Sequence, residues 1–156
     1  MKKILMVCLG NICRSPLAEG ILKSKVNSDR VFVDSAGTGG WHIGALPDAR
    51  SIEVAINNDI DITDQRGRKF TISDFDNFDI IYVMDRSNYE NVISLSRNQS
   101  DKQKVKMIRD EILSTQGSDV PDPYFGGEGG FDLVYQMIDE VCDIIAKKLN
   151  DERQLW

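Results

Sequence analysis

Short apolar runs alternate along this chain with stretches whose apolar residues recur at helical spacing, and that alternation limits the fold more than any other feature. The runs are Lys3–Val7, Arg30–Ser35, Phe78–Met84 and Gln103–Ile108. Runs of this length, rich in valine and isoleucine, read as buried strands. Between them lie Leu17, Ala18, Ile21, Leu22 and Val26 at helical spacing, then Asp48–Asn57 with Ile52, Val54, Ala55 and Ile56. Asp85-Arg86-Ser87 caps a further helix, and Phe131–Leu149 places Val134, Ile138, Val141, Ile145 and Leu149 on one face. Strands separated by helices cannot close as hairpins, so each connection crosses over and the strands run parallel. The expected architecture is α/β: a three-layer sandwich with a four-stranded parallel sheet and helices on both faces. Sites in such sheets lie at the carboxyl ends of the strands. With 156 residues, one domain over 1–156 is expected.

Composition excludes several classes of function. Hydrophobic residues at 41% and charged residues at 28% suit a packed core rather than disorder. A formal net charge of -6 disfavours broad nucleic-acid binding, which needs basic surface. One local anion site remains open, because backbone amides and a single Arg can build it. The apolar run Ile4 to Leu9 is too short for a signal-peptide core, and nothing reaches membrane-spanning length. Three cysteines (Cys8, Cys13 and Cys142) with no Cys-x-x-Cys pair, beside one histidine, His42, read as reduced thiols. A cytoplasmic protein with no metal and no organic cofactor is expected.

The segment Cys8-Leu9-Gly10-Asn11-Ile12-Cys13-Arg14-Ser15 follows the first strand and precedes a helix, with Ser15 as its expected N-cap and Pro16 at the first helical position. Glu19 would add negative charge to the first turn. If the loop curls, its amides converge with the helix N-terminus into a cradle for a tetrahedral dianion. Arg14 can close that cradle with two parallel hydrogen bonds. Cys8 would sit at the base, in a setting that lowers a thiol pKa to about 3.5–7.5. A Cys with an Arg six residues later is a weak signal alone. Its placement between strand and capped helix gives it weight.

The stretch Val7-Cys8-Leu9-Gly10-Asn11-Ile12-Cys13-Arg14-Ser15-Pro16 resembles the phosphate-binding loop of the low-molecular-weight protein tyrosine phosphatases. Asp34-Ser35-Ala36-Gly37-Thr38, Met84-Asp85 with Ser87-Asn88, and Asp122-Pro123-Tyr124 resemble later blocks of that family, in family order. The resemblance implies hydrolysis of protein phosphotyrosine, and of small aryl phosphates, through a cysteinyl-phosphate. Cys8 would be the nucleophile and Arg14 the phosphate ligand. Asp122 would act as general acid and then as base. Leu9, Gly10, Asn11, Ile12 and Cys13 would form the cradle. Asn11 would hold its shape in a left-handed conformation. Ser15 would donate to the Cys8 sulfur, and Ser35 would support the loop. The family pairs cysteines equivalent to Cys8 and Cys13 under oxidation, since a nearby thiol traps a sulfenic acid. Phosphate, sulfate and vanadate would compete for the cradle. A deprotonated Cys8 and a protonated Asp122 imply a mildly acidic optimum. The expected partners are phosphotyrosine proteins, with no nucleic acid and no membrane, and a monomer is expected.

Leu9, Trp41, Tyr124 and Phe125 are candidates for the rim of a slot that admits a flat ring and leaves phosphoserine too short. On the residues alone, the alternative readings are Trp41 as a loop anchor, Asp122 as a turn residue before Pro123, and Cys13 as a small buried side chain. His42 reads as a plain loop residue, Cys142 as an inert packed thiol off the most apolar stripe. Asp139, Glu140 and Asp143 read as a solvated face. Lys102, Lys104 and Lys106 read as an exposed strand edge, Arg66 and Arg68 as cations for acidic substrate segments. The segment Gln65-Arg66-Gly67-Arg68 carries Gln65 where the family usually has a His that helps hold the loop Asn. Altered loop rigidity or pH response is expected there. Two rivals remain. An arsenate reductase on this fold needs relay cysteines, yet none lies between Cys13 and Cys142. A dead phosphatase that only binds phosphotyrosine would need a missing catalytic group, and Cys8, Arg14 and Asp122 are all present.

Overall fold

The computed structural model describes residues 1–124 and 130–151. Strand β1 (Lys2–Cys8) leads to α1 (Arg14–Lys25), β2 (Val31–Gly37), α2 (Ala49–Ile56) and α3 (Asp74–Asn77). Then come β3 (Ile80–Val83), α4 (Arg86–Ile93), α5 (Gln99–Lys104), β4 (Val105–Met107) and two 3₁₀ turns, Ile108–Glu111 and Leu113–Thr115. The last helix, α6, spans Gly130–Asn150. No helix among the described residues is long and apolar enough to cross a membrane.

The strands form one parallel sheet in the order β2-β1-β3-β4. Side chains alternate across a strand. Ile4, Met6 and Cys8 therefore join Ile80 and Tyr82 in a core with Leu17 and Ile21 of α1 and Ile138, Val141 and Cys142 of α6. Leu5 and Val7 join Ile81 and Val83 against Phe75 of α3 and Val92 of α4. Two cores on opposite faces make three layers, the expected α/β sandwich. β1 is interior on both sides, which explains why its sequence is continuously apolar. The chain leaves β1 toward β2, then crosses back to β3 on the other side. A crevice opens at such a switch point, and Cys8 is the last residue of β1.

Several expectations need correction. α1 begins at Arg14, with Cys13 in the N-cap position and no side-chain cap. Ser15 is inside the helix because its hydroxyl is committed to Cys8 and Asn11. Pro16 is the third helical residue, still among those whose N–H lacks an intrahelical partner. Glu19 is past the first turn and 4% exposed, so it is no surface dipole partner. The fourth strand is shorter than expected. Asn98 caps α5, which takes up Lys102 and Lys104, and only Lys106 lies on β4. Lys104 Nζ donates to the carbonyl of Phe75 rather than lining an edge. Asp139 and Asp143 are not merely solvated, since both pair with Lys25 and tie α6 to α1. Cys142 lies wholly inside the core rather than off the stripe, and burial pushes its thiol well up.

Candidate active site

The loop after β1 is shaped by what holds its carbonyls. Thr38 N donates to Cys8 O at 2.9 Å, Gly39 N to Leu9 O at 2.9 Å and Asp48 N to Ile12 O at 2.8 Å. Ser51 Oγ donates to Cys13 O at 3.4 Å. These carbonyls are thus drawn outward, toward the end of β2 and the start of α2. All peptide bonds among the described residues are trans. In a trans peptide the following N–H points the opposite way, so the amides of Leu9, Gly10, Cys13 and Arg14 turn to the inside. Asn11 sits at φ 56, a conformation Asn tolerates. Gly37 lets β2 approach: a Cβ there would lie 2.9 Å from Leu9 O and 3.1 Å from Asn11 N.

Inside the curl lies a cavity of about 260 Å³, lined by Cys8, Leu9, Gly10, Ile12, Cys13, Arg14, Trp41, His42, Asp122 and Tyr124. The Cys8 sulfur is 3.3 Å from Asn11 N and 3.0 Å from Ser15 Oγ. Arg14 is 2% exposed. Its Nη1 donates to Asp85 Oδ2 at 2.6 Å and to Val120 O at 2.9 Å. Nη2 is 3.6 Å from Asp122 Oδ2. Holding Nη1 from behind leaves Nε and Nη2, the pair that makes a parallel fork to an oxyanion. Asp122 Oδ1 accepts from Tyr124 N at 3.0 Å, which turns the carboxyl at the cavity mouth. Trp41, 72% exposed, and Tyr124 stand on the rim. The expectation for Phe125 falls outside the described residues.

Asn11, Ser15 and Ser35 stand behind the cavity rather than in it. Asn11 Nδ2 donates to Ser15 Oγ at 2.8 Å and to Ser35 Oγ at 3.0 Å, and Asn11 Oδ1 accepts from Arg68 N at 3.0 Å. Cys13 is buried, and burial together with the charges of Asp48, Cys8 and Asp122 pushes its thiol up to about 12. The Cys8 and Cys13 thiols are both free. Gln65 does not hold the loop Asn: its Nε2 donates to Pro16 O at 3.0 Å. Arg68 is no free cation for substrate, because its guanidinium pairs with Asp34 and Asp74. Arg66 Nη1 is turned to the carbonyls of Thr63 and Gln65.

Three groups escaped the sequence reading. His42, read as a plain loop residue, lines the cavity and packs over Gly10, where a Cβ would meet its Cδ2 at 3.2 Å. Asp85 was legible as a cap, and the capping box with Asn88 is present, but its other oxygen holds Arg14. Glu19 Oε1 accepts from Ser35 Oγ at 2.7 Å inside the protein. No local pattern marks the last two, since both partners come from distant segments.

The family model for low molecular weight phosphotyrosine protein phosphatase matches residues 3–155. The Schizosaccharomyces pombe low molecular weight phosphotyrosine protein phosphatase is 41% identical over 143 residues, covering 88% of this chain and 90% of that protein. The protein tyrosine phosphatase of Entamoeba histolytica, solved with Hepes in the active site, superposes with a TM-score of 0.89 at 35% identity, covering 97% and 98% of the two chains. Vibrio vulnificus Wzb in complex with benzylphosphonate superposes at 0.84 with 32% identity over 94% and 98%. The four blocks read in the sequence, the parallel sheet and these likenesses agree: the chain belongs to the low molecular weight phosphotyrosine protein phosphatase family and is a protein-tyrosine-phosphatase, a hydrolase.

Proposed function

We propose that this chain hydrolyses phosphotyrosine by two in-line displacements at Cys8. The observation that carries the reading is the convergence of the Cys8 sulfur, the Arg14 fork and the Asp122 carboxyl on one cavity. In the first step the sulfur attacks phosphorus and the phosphorus–oxygen bond to the ring breaks. Asp122 gives its proton to the departing oxygen. The inward amides and Arg14 bind the three equatorial oxygens and favour the charge distribution of the transition state. In the second step Asp122 takes a proton from water, which attacks the cysteinyl-phosphate. The sulfur–phosphorus bond breaks and phosphate leaves.

The walls favour an aromatic ester. Leu9, Ile12, Trp41 and Tyr124 present apolar surface between the rim and the sulfur. A phenyl ring spans that depth and stacks well, whereas a phosphoserine side chain is too short to reach Cys8. The benzylphosphonate held by Vibrio vulnificus Wzb joins such a ring to a phosphate-like anion. Phosphate, sulfate and vanadate are expected to compete for the same cradle.

The test is hydrolysis of an aryl phosphate by the reduced protein with chelator present. Wild type should turn over, Cys8→Ser should show none, and Asp122→Asn should lose about 100-fold or more in kcat. Turnover retained by Cys8→Ser would overturn the mechanism. Tight binding of a phosphotyrosine peptide by wild type without turnover would favour a recognition module instead.

A further inference from the structure

Behind the cavity, three side chains join a buried carboxylate to the Cys8 sulfur. Glu19 Oε1 accepts from Ser35 Oγ at 2.7 Å, and Ser35 Oγ accepts from Asn11 Nδ2 at 3.0 Å. Asn11 Nδ2 donates also to Ser15 Oγ at 2.8 Å, and Ser15 Oγ is 3.0 Å from the sulfur. An ionised carboxylate only accepts, and a hydroxyl has one proton. Ser35 therefore spends its proton on Glu19 and offers Asn11 a lone pair. The Asn11 NH₂ then faces both serines, while Arg68 N holds its oxygen at 3.0 Å on the far side. Ser15, receiving one N–H, keeps its own proton free for the sulfur.

We propose that Glu19 is a positioning residue for the nucleophile: its carboxylate fixes the direction of the Ser35–Asn11–Ser15 relay so that the Ser15 proton points at Cys8. The proposal rests on Cys8 being the nucleophile. Glu19 is 4% exposed, and a carboxylate buried that far needs partners for both oxygens. Ser35 serves one. Lys23 Nζ, one turn along α1, serves Oε2 at 2.5 Å. Asp34 of β2 and Asp64 and Arg66 after α2 are the other charges around the surface depression where Glu19 and Lys23 meet. Gln65 lines that depression but is turned to Pro16. An amide in place of Glu19 cannot serve both partners, since one of Ser35 and Lys23 would face its NH₂. Lys23 attracts the oxygen more strongly, so the NH₂ falls to Ser35 and the relay loses its acceptor.

The experiment follows Cys8 alkylation by iodoacetamide against pH, with kcat and KM for an aryl phosphate, in wild type, Glu19→Gln, Ser35→Ala and the double variant. In Glu19→Gln the alkylation midpoint should rise by about half to one pH unit. Its kcat should fall about tenfold to a hundredfold, with KM within about threefold. Ser35→Ala should behave alike, and the double variant should lose little more than either single, because the groups act in series. A folded Glu19→Gln with unchanged midpoint and kcat would sink the proposal. Should that variant not fold, an unchanged midpoint in Ser35→Ala does the same. Hydrolysis surviving in Cys8→Ser would instead remove the reading on which the proposal stands.

Discussion

The three cysteines show how position decides what one residue type can do. Cys8 lies at the floor of an open cavity with two hydrogen-bonding groups at its sulfur. Cys13, five residues on, is buried beside the carboxylates of Asp48 and Asp122, and its thiol is pushed up to about 12. Cys142 is enclosed by the core. The thiolate is the reactive form, so Cys13 and Cys142 stay protonated at neutral pH. Iodoacetamide at pH 7 should therefore label one site, Cys8, and inorganic phosphate should protect it. Mass spectrometry of the digested protein checks this. Labelling of Cys13 at a comparable rate in the native protein would contradict the arrangement.

At the scale of elements, the loop after β1 is held less by its own residues than by the start of α2 and the strap before it. Asp48 N and Ser51 Oγ hold two of its carbonyls, and the Asp48 side chain caps α2 by accepting from Arg50 N. Arg50 reaches on to the rings of Tyr124 and Phe131, 5.4 and 4.6 Å from its Cζ, and so links the loop's support to the segment that carries Asp122. The strap with Trp41 and His42 is fastened at Gly67, whose N donates to Ala45 O and whose O accepts from Gly44 N, each at 2.8 Å. A Cβ on Gly67 would collide with the His42 carbonyl oxygen, which is backbone and cannot swing aside. Gly67→Ala should destabilise the protein by about 1–3 kcal/mol. It should also raise KM for aryl phosphates more than it lowers kcat, because the strap forms the rim rather than the reacting groups. Urea unfolding and steady-state kinetics measure both.

Across the whole molecule, charged side chains tie together the elements that cover the α1–α6 face of the sheet. Lys25 ties α1 to α6, and Glu111 receives both Tyr82 Oη of β3 and Lys148 of α6. Glu19 makes stability as a whole depend on pH. Burial raises its carboxyl above the ordinary value, against the pull of the Lys23 and Ser35 bonds. Between the unfolded and the raised folded value, the folded protein keeps a proton that the unfolded chain has lost. Stability therefore falls as pH rises through that window. The stability of wild type relative to Glu19→Gln should accordingly decline as pH rises above the ordinary carboxylate value. Urea melts of both proteins at a series of pH values test it, and a difference that rose with pH would refute the sign.

What the sequence determined by itself is whatever is local in the chain. The period of the apolar runs called for a parallel α/β sandwich. The unit Val7–Pro16 was legible as strand, loop and helix, and Asp122-Pro123 as a turn. Boundaries were harder where neighbours compete for the same backbone: Asn98 caps α5, which runs on to Lys104 and takes the first two residues of the run expected to be the fourth strand. Ser15 looked like a cap because capping and sulfur bonding need the same hydroxyl. Only the tertiary structure decided which groups stand behind the reacting ones. Glu19 reaches Ser35 because α1 packs along β2. Asp85 reaches Arg14 because β3 ends beside β1, and Gln65 misses Asn11 because its amide is taken by Pro16. Each of these bonds joins segments whose separation in sequence carries no periodic signal, and it forms because a polar group taken out of water needs a partner that the fold brings to it.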